Sequence, residues 1–158
     1  MEAIYLVGQI SPKYEETYAW RKDVRDYFYG SEYFKIIDPC SNSFNKNGLK
    51  EKKYAIEGTK RTFGLDLLVP KDLTFVKKSS IAVVNMNQYD PDKPLIGSYF
   101  ELAWYYMFPE KAVIAFSNNL NDYNCKHPFV SQAVDVWCNN QIEACELVEE
   151  YFINIESV

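Results

Sequence analysis

The sequence predicts a single α/β domain over residues 1–158, with about five mostly parallel strands flanked by helices on both faces. That is a flavodoxin- or Rossmann-like three-layer sandwich. Three observations lead to it. The runs AIYLV, IAVVNM and AVIAF are apolar throughout and lack the alternation of a half-exposed strand, so each reads as a buried parallel strand. Between them lie segments whose apolar residues recur at helical spacing. A chain of 158 residues with 47% hydrophobic and 25% charged side chains suits one globular core.

The elements follow in order. Residues 3–7 form the first strand, closed by Gly8. Residues 15–29 interleave Tyr18, Val24, Tyr27 and Phe28 with charge, which predicts an amphipathic helix carrying Trp20 and Arg21 as a surface pair. Residues 34–37 make a short strand ended by Asp38-Pro39, and the polar stretch 41–53 reads as an exposed loop. A helix is expected over 67–78, with Pro70 near its start and Asp72 as an early acid. Residues 81–86 give the strongest strand, 87–94 a loop rich in Pro and Asp, and 98–107 an aromatic helix. A strand over 112–116, a last short strand over 134–137 and a closing amphipathic helix over 142–152 complete the chain. His127, the single histidine, sits before Pro128 in a predicted loop.

Composition excludes several functions. Seventeen basic against twenty-two acidic residues leave a net charge of -5, which repels nucleic-acid polymers. No apolar run approaches the ~18 residues of a membrane span. The start, MEAIYLVGQIS, carries an acid and no basic segment, so no signal peptide is expected and a cytoplasmic location is. Cys40, Cys125, Cys138 and Cys145 form no C-x-x-C pair and are expected as free thiols; with one histidine, no metal site is expected.

Parallel sheets bind ligands beyond the carboxyl ends of their strands. The segment 90–102, DPDKPLIGSYFEL, leaves the strongest strand and opens a helix. Gly97 and Ser98 stand at that opening, where free N–H groups can receive an oxyanion or phosphate. Glu101 lies inside the apolar run YFELAWYYMF, where a carboxylate is costly unless paired or used. It is either a first-turn acid favoured by the helix dipole or a functional group. Asp72 carries the same two readings, and Tyr5 on the first strand reads as packing or as a site residue. Two carboxylates at one sheet edge could cleave a glycosidic bond, one attacking the sugar carbon and the other handling the proton.

IYLVG at the start, WR on the next helix, Asp72 ahead of IAVVNM, Gly97-Ser98-Tyr99-Phe100-Glu101, the strand KAVIAF, HPFV and the closing ACELVEEYF together resemble the nucleoside 2-deoxyribosyltransferase family. The resemblance spans roughly residues 3–152. It implies Glu101 as the nucleophile on C1′ of a deoxyribosyl group, Asp72 as the residue that contacts or protonates the base, and Tyr5 as the group that orients Glu101. It places Gly8 and Gln9 beside the base, and Ser11 and Ser98 near a 5′-phosphate. The family's acid two residues before the motif glycine is Leu95 here, with Asp90 and Asp92 nearby; its Asn after the late proline is Val130. The implied substrates are a small nucleoside or nucleotide and a nucleobase, without cofactor, in a homo-oligomer of dimer size or larger. Hydrolysis of the same bond, a non-catalytic nucleotide-binding module, and an aromatic interaction surface around Trp104-Tyr105-Tyr106 are the alternatives.

Overall fold

The computed structural model describes residues 1–10, 15–41 and 65–153. Most of the predicted loop over 41–53, and Ser11, lie outside those residues. Five strands form one sheet: β1 (Glu2–Gly8), β2 (Phe34–Ile37), β3 (Ile81–Asn85), β4 (Ala112–Phe116) and β5 (Val136–Cys138). Their order is β2-β1-β3-β4-β5, and all four pairings are parallel. Parallel neighbours need crossover connections, so helices must cover both faces. They are α1 (Trp20–Tyr27), α2 (Leu65–Lys78), α3 (Ile96–Tyr106), α4 (Tyr123–Lys126), α5 (Pro128–Ala133) and α6 (Gln141–Ile153).

The side-chain period of two divides the core. Ile4, Leu6, Ile81, Val83, Ile114 and Phe116 face α1 and α6, where Trp20, Val24, Ala144, Cys145 and Val148 meet them. Tyr5, Val7, Ala82, Val84, Val113 and Ala115 face the other layer and pack on Val76 of α2, Leu102 and Tyr105 of α3, and Val130 and Ala133 of α5. Each fully buried Val, Leu or Ile contributes roughly 1.5–3 kcal/mol, so this two-sided burial is what makes the central strands read as continuous apolar runs.

The predicted strands stand within two residues of their positions; the last runs over Val136–Cys138 in place of 134–137. The helical segments needed more correction. A π-helical turn (Glu15–Ala19) precedes α1, which ends at Tyr27. His127-Pro128, read as loop, instead opens α5: Pro128 occupies its first turn and the His127 ring accepts from the Phe129 N–H, an N-cap that the H-P pair could have signalled. Pro70 lies inside α2, since that helix begins at Leu65, so Asp72 is no first-turn acid.

Gly8 ends β1 against a tight neighbour. A Cβ there would meet Trp20 Cζ2 at 3.0 Å and Asn85 Cβ at 3.1 Å. The Trp20 ring is fixed by an edge contact with Phe116 at 5.4 Å between centroids, and cannot retreat easily. Gly8→Ala is therefore expected to destabilise the fold by about 1–3 kcal/mol, read from urea unfolding midpoints. An unchanged midpoint would mean that the Trp20 ring yields.

Candidate active site

Chain order reverses around β1. The chain goes from β1 out to β2 on one side and returns to β3 on the other, which makes the β1/β3 carboxyl end the topological switch point. A cavity of about 250 Å³ opens there. Tyr5, Gly8 and Gln9 reach it from β1 and its exit, Lys71 and Asp72 from α2, and Leu95, Gly97, Ser98 and Glu101 from the start of α3. Three chain segments far apart in sequence thus converge on one space.

Glu101 sits in the second turn of α3, past the reach of most of the helix dipole, and only 8% of it is exposed. The Tyr5 hydroxyl, fully buried, donates a hydrogen bond to Glu101 Oε1. Burial raises the Glu101 carboxyl to about 8; the Tyr5 hydrogen bond and the Arg21 and Lys71 charges oppose that rise, and Asp72 adds to it. Tyr5 is itself pushed well above the usual phenol range, first by burial and then by the Glu101 charge, so it remains a donor. Asp72 is also raised, chiefly by burial, with Lys71 pulling the other way. Asp72 Oδ1 is buried without a hydrogen-bond donor, and the Lys71 ammonium stands 3.5 Å from it. Two carboxyls raised by burial beside one cavity form the sort of pair that marks acid–base sites.

The remaining expected residues separate. Gly97 and Ser98 line the cavity at the entry of α3. Gln9 lines it too, but its amide clasps the neighbouring loop: Nε2 donates to Lys93 O at 2.7 Å, and Oε1 accepts from Tyr89 N at 2.9 Å and Asp90 N at 3.1 Å. That leaves Gln9 as the staple between the loops after β1 and β3. Asp92 is exposed in the turn and does not line the cavity, and Asp90 pairs with Lys93 at 3.0 Å. Leu95, 2% exposed, puts an apolar side chain at that edge instead. Val130 is packed in the core on the far side of α3.

Two charged residues were missed. Arg21, expected on the surface, is fully buried, and Lys71 lines the cavity. The signal for Arg21 was available: Thr17, Trp20, Arg21, Val24 and Phe28 share one helical face and all are buried. A larger cavity of about 690 Å³ lies between α3 and the α4–α5 pair, lined by Tyr99, Tyr106, Tyr123, Phe129 and their neighbours. It holds no carboxylate, so the carboxyls gather at the smaller cavity. Among the described residues, no cluster of His, Cys, Asp and Glu could hold a metal ion, and no helix is long and apolar enough to cross a membrane.

A single parallel α/β sandwich with a buried Glu101 and a half-buried Asp72 at its switch point defines the class. By sequence, no family model and no curated protein matches the chain. By structure, it is similar to a 2-desoxiribosyltransferase from Leishmania mexicana, with 15% identity, a TM-score of 0.65, and coverage of 96% of this chain and 100% of the other. It is also similar to a conserved protein from Enterococcus faecalis V583, at 13% identity and a TM-score of 0.62, covering 95% of this chain and 98% of that one. The fold is nucleoside 2-deoxyribosyltransferase-like.

Proposed function

We propose that the protein cleaves the N-glycosidic bond of a 2′-deoxynucleoside or its 5′-monophosphate and transfers the deoxyribosyl group to another nucleobase. The observation that carries this reading is the Tyr5–Glu101 hydrogen bond facing Asp72 across the switch-point cavity. In the first step a Glu101 carboxylate oxygen attacks C1′. The C1′–N bond breaks, its electron pair leaves with the base, and the base nitrogen takes a proton from the Asp72 carboxyl. Burial favours a protonated Asp72 for that role. In the second step the acceptor base nitrogen attacks C1′, the C1′–O bond to Glu101 breaks, and the acceptor's proton returns to Asp72. Tyr5 stays protonated throughout and holds the attacking oxygen in place.

Hydrolysis is the second reading, with water as the acceptor. Leu95 favours it, because an apolar group stands where the transferases hold the sugar with an acid. The test is chromatography of the protein incubated with deoxynucleosides and their 5′-monophosphates, with and without free adenine. New deoxyadenosine that requires both donor and adenine supports transfer. Base release without an acceptor supports hydrolysis. Ligand binding with neither product would overturn both in favour of a binding module.

A homo-oligomer fits the surface. Tyr106, Met107, Tyr123 and Phe129 are 63–84% exposed, and all four line the large cavity between α3 and α4–α5. Exposed aromatics gathered on one face form the core of many subunit contacts. Phe129→Asp is expected to lower the mass measured by light scattering to that of one chain. A wild type that is already monomeric at high concentration would end this part of the proposal.

A further inference from the structure

Arg21 is the charged side chain that the proposed chemistry leaves unexplained. It is fully buried, which is rare for a guanidinium without a carboxylate partner. No described carboxylate lies within ion-pair distance of it. Its Nη2 donates to Gly8 O at 3.0 Å, and its Nη1 contacts Leu6 O at 3.5 Å. Its guanidinium carbon stands 4.4 Å from the centre of the Trp20 ring, and its Nε has no hydrogen-bond partner. Both carbonyls belong to the end of β1, just beyond Tyr5. A neutral side chain could fill this space at less desolvation cost, so the charge needs a reason.

We propose that Arg21 is a positioning residue of the candidate active site, tying down the carboxyl end of β1 that carries Tyr5 and supplying the buried positive charge against which Glu101 bears its negative one. The inference rests on the reading of Glu101 as the nucleophile. Four groups act on Glu101 from the elements packed around it: Tyr5 of β1, Lys71 and Asp72 of α2, and Arg21 of α1. Of the two cations, Lys71 also stands beside Asp72 and lines the open cavity. Arg21 is sealed from water, so its field is screened little. The hydrogen bond to Gly8 O acts on the backbone of β1, which carries Tyr5, and the buried charge acts on the Glu101 carboxyl that Tyr5 holds.

The test separates these effects from mere packing. Protein labelled with carbon-13 at the glutamate carboxyls would be titrated by NMR, the Glu101 signal being assigned by its absence in Glu101→Gln. In Arg21→Gln, which keeps a donor and loses the charge, the Glu101 midpoint is expected to rise by about one pH unit or more. In Arg21→Lys, which keeps the charge, it is expected to stay close to wild type. Arg21→Met serves in place of the glutamine variant if that one fails to fold. An unmoved midpoint in the neutral variants overturns the proposal, whatever their stability, and so does an equal shift in the lysine variant. The titration needs no substrate. A Glu101 that responds to Arg21 in a protein without base release would therefore count against the reaction and leave the coupling standing.

Discussion

Glu101→Gln is expected to abolish base release while making the fold more stable at alkaline pH. The first effect follows from the nucleophile reading, because an amide oxygen cannot form the glycosyl ester. Loss of an attacking group costs at least about 10³-fold where it is essential. The second follows from burial. The Glu101 carboxyl is raised from 4.5 to about 8 in the folded protein. Between those values the folded state holds a proton that the unfolded state has released. More protons on the folded side mean that stability falls as pH rises through this window. Below pH 4.5 both states are protonated and the penalty vanishes; above about 8 it is complete. Glutamine never ionises, so its advantage should grow from pH 5 to pH 9 and reach on the order of a few kcal/mol. Urea unfolding at the two pH values measures it. A constant difference between wild type and variant would mean that Glu101 is not buried against its charge. The same mechanism predicts a bell-shaped pH profile: turnover is lost at low pH, where Glu101 is protonated and cannot attack, and at high pH, where Asp72 has given up the proton that the leaving base needs.

Asp72→Asn is the second large effect. If Asp72 protonates the leaving base, its loss should lower turnover of ordinary deoxynucleosides by about 10²–10⁴. A deoxyriboside with a leaving group that departs as a stable anion, such as p-nitrophenolate, needs no proton. On that donor the loss should be less than about tenfold if proton donation is the missing step. Equal losses on both donors would instead make Asp72 a binding or positioning group. The pair of substrates thus distinguishes roles that a single rate cannot.

The strands were the most legible part of the chain. IAVVNM and AVIAF are apolar because both faces of β3 and β4 are covered, and a two-sided environment writes itself directly into composition. Helix ends were less legible. Pro70 inside α2 runs against the rule that proline opens a helix, and the short α5 after His127 depends on a local cap that periodicity does not carry. Within the site, Glu101 stood out because a carboxylate interrupts an apolar run. Arg21 did not, because it sits among other charges on α1, and only its place on the apolar stripe marks it as buried. Gln9 gave no signal of its loop-binding role, since its partners lie about eighty residues away.

By itself the sequence determined the fold class, the strand segments and the list of carboxylates available for chemistry, because burial and periodicity are local properties of a chain. Tertiary structure decided which of them meet. The parallel order β2-β1-β3-β4-β5 brings Tyr5, Asp72 and Glu101 to one cavity although they are separated by up to 96 positions. It also leaves Asp92 in an exposed turn, packs Val130 into the core and seals Arg21 beneath the end of β1. The physical reason is that proximity across a sheet edge is set by strand order and crossover, while sequence spacing constrains only residues on the same element.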